Sequence, residues 1–150
     1  MCTMSTIDEK QIIAELQRVM LKCVLQREPL PGQSIPVTFA DLAYITERET
    51  VFISEENVHS NLKLEISGKD LEVMPESKIR QKAEDSGDLP YVHFRPANYS
   101  DDQVRLIMDI RIAPSEADIQ TLGLGAISAT FHRSDQGRWE VHQQPGVIAM

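Results

Sequence analysis

The last third of this 150-residue chain alternates apolar and polar residues with a period of two, and no other feature constrains its fold as tightly. Val104, Leu106, Met108, Ile110 and Ile112 share one parity, while Arg105, Asp109 and Arg111 take the other. Ile127, Ala129 and Phe131, then Trp139 and Val141, repeat the pattern against Ser128, Thr130, His132, Arg138, Glu140 and His142. Such alternation marks strands with one face on a core and the other face outside it. A half-buried antiparallel sheet of this kind needs a helical layer over its apolar side.

The start of the chain supplies that layer. Thr6 followed by Glu9 reads as a capping box. Ile12, Ile13, Leu16, Val19, Met20, Cys23 and Val24 then fall on one helical stripe. Asp8 and Glu9 in front, with Lys22 and Arg27 behind, suit the helix dipole, and Pro29, Pro31 and Gly32 end the helix. Cys23 sits on the stripe and reads as a small buried hydrophobe. Together with Cys2 it is too little for a disulfide framework.

The middle of the chain is mixed. Between Ser34 and Thr46 two readings stand: a short strand at Val37-Thr38-Phe39, or a brief helix capped by Thr38 and running through Leu42 and Ile45. Val51-Phe52-Ile53 reads as a buried strand. Leu62, Leu64 and Ile66, then Leu71-Glu72-Val73, flank Ser67-Gly68-Lys69-Asp70 as the arms of a hairpin. Pro75 fits the first position of a short second helix, with Ile79 and Ala83 facing inward and Gly87 ending it after Ser86. Tyr91 to Arg95 opens the terminal meander. In its last hairpin Gly137 takes the left-handed position of a three-residue loop, which sets Phe131 opposite Val141 and His132 opposite Glu140.

The sequence thus predicts one α+β domain over residues 1–150: a long N-terminal helix packed on a curved, mostly antiparallel sheet, with a short second helix. Residues 1–5 and 144–150 read as tails. The apolar stretch Gly146 to Met150 either docks on its own sheet, docks on a partner, or frays.

Composition narrows the function classes. A net charge of −8 argues against nucleic acid as a partner, since phosphates need lysine and arginine. There is no signal-peptide pattern and no run of about 18 apolar residues, so no membrane span is expected and a cytoplasmic location is the default. The charge is also segregated. On the outward parity of the last strands, Tyr91, His93 and Arg95 join Arg105, Asp109, Arg111, His132, Arg138, Glu140 and His142, where arginine and histidine outnumber acids. Residues 41–88 carry twelve acidic against six basic residues. This contrast points to an interface or an anion-attracting face, against the plainer reading of a solvated sheet face.

Tyr91, His93, Arg95, Arg105, Asp109, Arg111, His132, Arg138 and Glu140 are therefore the candidate ligand or interface residues. Arg95, Arg105, Arg111 and His132 are expected to attract a small anion or an acidic group of a protein partner, unless Asp109 and Glu140 already neutralise them. His93, His132, His142, Asp109 and Glu140 are metal-ligand types, but none has a close metal-binding spacing, so neither a metal nor a cofactor is expected. A His132–Glu140 pair has acid–base chemistry but no visible nucleophile, because the chain lacks a Gly-x-Ser-x-Gly elbow. Gly123-Leu124-Gly125 precedes a strand rather than a helix. That excludes a dinucleotide loop and fits a closely packed or flexible strand start.

A capped helix, a mixed middle and long antiparallel strands ending in Gly137-Arg138-Trp139-Glu140-Val141 resemble the cystatin-like, nuclear-transport-factor-two-like superfamily. The resemblance covers mainly residues 6–28 and 89–143 and rests on the Gly-x-Trp signature at Gly137-Arg138-Trp139. It implies a long helix laid across a curved sheet, and members often dimerise through that sheet. Enzymatic members place an Asp or His on the concave face between sheet and helix, where this chain is apolar. The expected function is accordingly a non-catalytic binding or protein-interaction module that homodimerises through its sheet. The alternative is a small hydrolase- or isomerase-like enzyme with a pocket between the long helix and the sheet.

Overall fold

Burial on more than one stripe shapes the first helix. In the computed structural model, which describes residues 5–58, 66, 68–116 and 118–149, helix α1 runs over Ser5–Leu25. Leu16, Met20 and Val24 of the expected stripe are buried, but so are Leu21 and Leu25, in one core with Leu30, Leu42 and Ile45 from the segment that follows. A helix that packs on a sheet and is also wrapped by its own continuation buries a wider arc than one stripe. Ser5 is already helical, so Thr6 lies inside the helix rather than at its boundary.

The helix ends before the prolines. The Glu28 N–H donates to the Cys23 carbonyl at 2.8 Å and the Arg27 N–H to that of Val24 at 3.3 Å, with Arg27 left-handed at φ 58°. This is the Schellman pattern, built here without glycine. The chain beyond it takes the helical of the two readings: a 3-10 turn over Ala40–Leu42 leads into α2, Ala43–Thr46. Phe39, not Thr38, occupies the N-cap position.

The sheet follows as β1 (Thr50–Ser54), β2 (Asp70–Met74), helix α3 (Glu76–Ser86), β3 (Leu89–Phe94), β4 (Asn98–Ser100), β5 (Gln103–Ala113), β6 (Leu122–Arg133), β7 (Trp139–Val141) and β8 (Gly146–Ala149). Its order is β2-β1-β3-β5-β6-β7, with β4 also on β5 and β8 also on β6. Every pairing from β3 onward is antiparallel, whereas β1 runs parallel to both β2 and β3. The architecture is α+β, as expected. The parallel pairs were not expected. Of the first arm of the expected hairpin, Leu62 and Leu64 lie outside the described residues and Ile66 makes an isolated antiparallel bridge with Lys69, while the second arm, Leu71-Glu72-Val73, pairs in parallel with β1.

The terminal register is the expected one: Phe131 faces Val141, His132 faces Glu140, and Gly137 sits at φ 80°. Of the three readings of the tail, docking on its own sheet is the one found. Residues 146–149 form β8 along β6, with Ile148 beside Ala126 and Val147 beside Ile127. Gly125 explains how this strand fits, because a Cβ there would stand 2.8 Å from the Ile148 carbonyl and 2.8 Å from the Phe39 ring. The register slips at Ile110 and Arg111, which face Gly125 and Gly123 and leave Leu124 as the extra residue of a bulge.

Two cores result. The α1 face gathers Val51, Ile53, Val92, Phe94, Val104, Leu106, Met108, Ile110, Ile127, Ala129, Phe131 and Val141. On the opposite face α3 sets Ile79 and Ala83 against Leu89, Tyr91 and Ala113, with Phe52 and Met74 at the margin. Pro75 is the N-cap of α3 and Gly87, at φ 104°, its C-cap. The outward face is therefore covered at one end. Among the described residues, no helix is long and apolar enough to cross a membrane.

Candidate functional site

Strand register brings the outward residues of β3 and β5 side by side. Tyr91 pairs with Arg111 and His93 with Asp109. Side chains of directly opposed residues point to one face, so these four form a compact polar square. Arg95, just beyond β3, reaches back over it. Its Nη2 lies 2.9 Å from Asp109 Oδ1 and its Nε 3.1 Å from both carboxylate oxygens. From the other side Arg111 Nη2 donates to Asp109 Oδ2 at 3.1 Å. Asp109 is only 4% exposed, and two guanidiniums compensate its buried charge.

The first turn of α3 adds a residue that strand periodicity does not show. Glu76 Oε2 accepts the Tyr91 hydroxyl and, at 3.2 Å, Arg111 Nη1. Burial and the adjoining Glu76 carboxylate push the Tyr91 phenol up to about 12, so it acts as a hydrogen-bond donor at neutral pH. The other oxygen, Oε1, lies 3.7 Å from His93 Nδ1. That is too long for a hydrogen bond, and Nδ1 is buried with no partner among the described residues. Burial and the Arg111 charge hold the His93 imidazole below its ordinary value, against the pull of Glu76, Glu56 and Asp109, so the contact is not an ion pair at neutral pH.

A pH dependence of stability follows. The unfolded chain takes up the His93 proton near pH 6.5, whereas the folded protein takes it up only at lower pH. Between those values the unfolded state binds more protons, so the His93 contribution falls as pH drops below about 6.5 and stops changing once the folded form is also protonated. Urea unfolding at pH 7 and pH 5 is expected to show a loss of stability at pH 5 that is smaller in His93→Gln. An equal loss in both proteins would remove His93 as its source. The groups facing the ring are Glu76 from α3, Asp109 and Arg111 from β5, and Glu56 after β1.

The remaining candidates lie elsewhere. Arg105 is exposed, with its Nε 3.3 Å from Ser128 Oγ. His132 stacks on His142, ring centroids 4.9 Å apart and planes within 3°, and its Nδ1 lies 3.3 Å from Gln103 Nε2. Glu140 is opposite His132 on β7. Arg138 is exposed, its N–H donating to Ser134 Oγ at 3.2 Å. Of the expected basic patch, Arg95 is paired with Asp109, and Arg111 with Asp109 and Glu76, while Arg105 contacts Ser128 and His132 stacks on His142. A charge count over strands alone omits Glu76. Nor do His93, His132, His142, Asp109 and Glu140 converge as a metal set, because the first and fourth belong to the ion cluster and the others to the β6–β7 end.

A separate cavity of about 420 Å³ opens between α1 and the sheet, lined by Gln11, Ile12, Glu15, Leu16, Tyr99, Arg133 and Trp139. Its carboxylate, Glu15, pairs with Arg18. On the same side of the sheet, burial and then the charge of Glu28 push the Cys23 thiol up, away from the reactive thiolate.

The chain matches no family model, no curated protein and no solved structure.

Proposed function

We propose that this chain is a non-catalytic binding module that forms a homodimer through the part of its outward sheet face not covered by α3. One observation carries the reading: α3 packs on β3, β1 and one end of β5, leaving a strip of Arg105, Ser128, Thr130, His132, Glu140 and His142 across β5, β6 and the segment at β7. Ile148, 57% exposed, borders that strip beside Ala126. The strip holds basic and hydrogen-bonding groups, a flat imidazole stack and an apolar margin, in a chain whose middle segment is acidic. A two-fold interface presents one patch to itself, which mixed polar groups of both signs can satisfy.

The distribution of chemistry favours binding over catalysis. Among the described residues, the pair His93 and Glu76 lies on the outward face, while the cavity between α1 and the sheet is lined by Glu15 and Arg133 but no histidine. A hydrolase or isomerase would need both in one place. The long helix over the sheet and the Gly137-Arg138-Trp139 hairpin support our placing the chain with the cystatin-like superfamily.

Light scattering at tens of micromolar is expected to give twice the chain mass of 16.9 kDa. Arg105→Glu combined with His142→Glu is expected to weaken the dimer by about tenfold or more, and added salt to weaken it as well. A monomer mass that persists as concentration rises would sink the proposal.

A further inference from the structure

We propose that Glu56, Glu76 and His93 form a binding site for a divalent transition-metal ion such as Zn²⁺. One donor atom from each of the three lies within 4.8 Å of the other two. Donors around a tetrahedral zinc stand about 3.3 Å apart, given metal–ligand distances near 2.0–2.2 Å. The 3.7 Å between His93 Nδ1 and Glu76 Oε1 is thus close to the spacing of two ligands on one ion.

An acidic cluster alone would not identify a site. The deciding feature is His93, a residue only 6% exposed whose Nδ1 points at Glu76 Oε1 and has no hydrogen-bond partner among the described residues. A buried ring nitrogen left without a partner is costly, and an ion between it and the two carboxylates would satisfy it.

The surrounding groups are arranged as supports for ligands are. Tyr91 and Arg111 both engage Glu76 Oε2, which orients the carboxylate and leaves Oε1 toward His93. Glu56 is held by the turn that carries it. Its N–H donates to Ser54 Oγ at 3.3 Å, and Asn57, left-handed at φ 64°, donates through Nδ2 to the Phe94 carbonyl at 2.9 Å. On the α1 side Gln17 Nε2 donates to the Asn57 carbonyl at 2.9 Å. Arg111 is the adverse charge nearby, but both ends of its guanidinium are directed at Glu76 Oε2 and Asp109. One nitrogen and two carboxylate donors suit a first-row transition ion better than Mg²⁺ or Ca²⁺, which favour oxygen alone. The three ligands come from a turn, a helix and a strand, which is why no close sequence spacing announces them.

The test titrates Zn²⁺ into the full chain by calorimetry at pH 7, in a Cys2→Ser/Cys23→Ser background that removes thiol binding. Uptake of one equivalent is expected. Glu56 is exposed, so Glu56→Gln should leave the fold intact by circular dichroism while weakening Zn²⁺ binding at least about tenfold. Tyr91→Phe should weaken it by about 10–100-fold through the loosened Glu76. His132→Ala with His142→Ala should leave it unchanged. No uptake at millimolar Zn²⁺, uptake that Glu56→Gln does not weaken, or uptake lost with the His132–His142 stack would each overturn the assignment.

Discussion

Truncating Leu21 to alanine is expected to lower stability by about 3–5 kcal/mol, and truncating Leu16 by about 2–3 kcal/mol. Both side chains are buried in the α1 core. They differ in surroundings: Leu21 is fully enclosed, whereas Leu16 also borders the open cavity beside Tyr99 and Trp139. Removing methyl groups from a fully packed site leaves a new void, while at the border of an existing cavity part of that loss is already present. Equilibrium unfolding in urea checks both. A loss below about 0.5 kcal/mol for Leu16→Ala would mean that α1 does not rest on the sheet as described.

Removing the central acid of the outward face should be the largest polar effect. Asp109→Ala leaves Arg95 and Arg111 side by side without the carboxylate that joins them. Breaking a buried ion pair from one side costs about 3–5 kcal/mol. Here the guanidiniums keep partial access to water, so a loss of about 2–3 kcal/mol is expected. Arg105→Ala, exposed on the same face, is expected to stay within about 0.5 kcal/mol of the parent. If urea unfolding shows both variants to be equally neutral, the cluster does not hold β3 to β5.

Particular residues show how far the sequence carries. The β5 to β7 register was legible because period-two alternation sets the faces and Gly137 sets the loop, so a slip of one residue would turn every apolar side chain outward. Tyr91, His93, Arg95, Asp109 and Arg111 were likewise placed on one face by parity, and the structure brings all five together. Glu76 was not found. In sequence it is an ordinary acid in the first turn after Pro75, and nothing local says that α3 lies over Tyr91. Glu56 stayed hidden for the same reason, because its turn reaches the site through the parallel placement of β1 beside β3. Gln17, fully buried with its amide on the Asn57 carbonyl, and Leu21 show the limit of a single-stripe helix reading, since the turn after β1 and the segment after α1 meet further sides of the helix.

Hydroxyl-radical footprinting across a concentration series tests the central claim, that the strip left open by α3 is the surface of association. As the protein is concentrated, His132, His142 and Ile148 are expected to lose reactivity together. Tyr44, 51% exposed on α2, should react equally throughout. Protection of Tyr44 with unchanged reactivity at His132 and His142, or no change at any of these residues at concentrations where the chain is associated, would contradict the account.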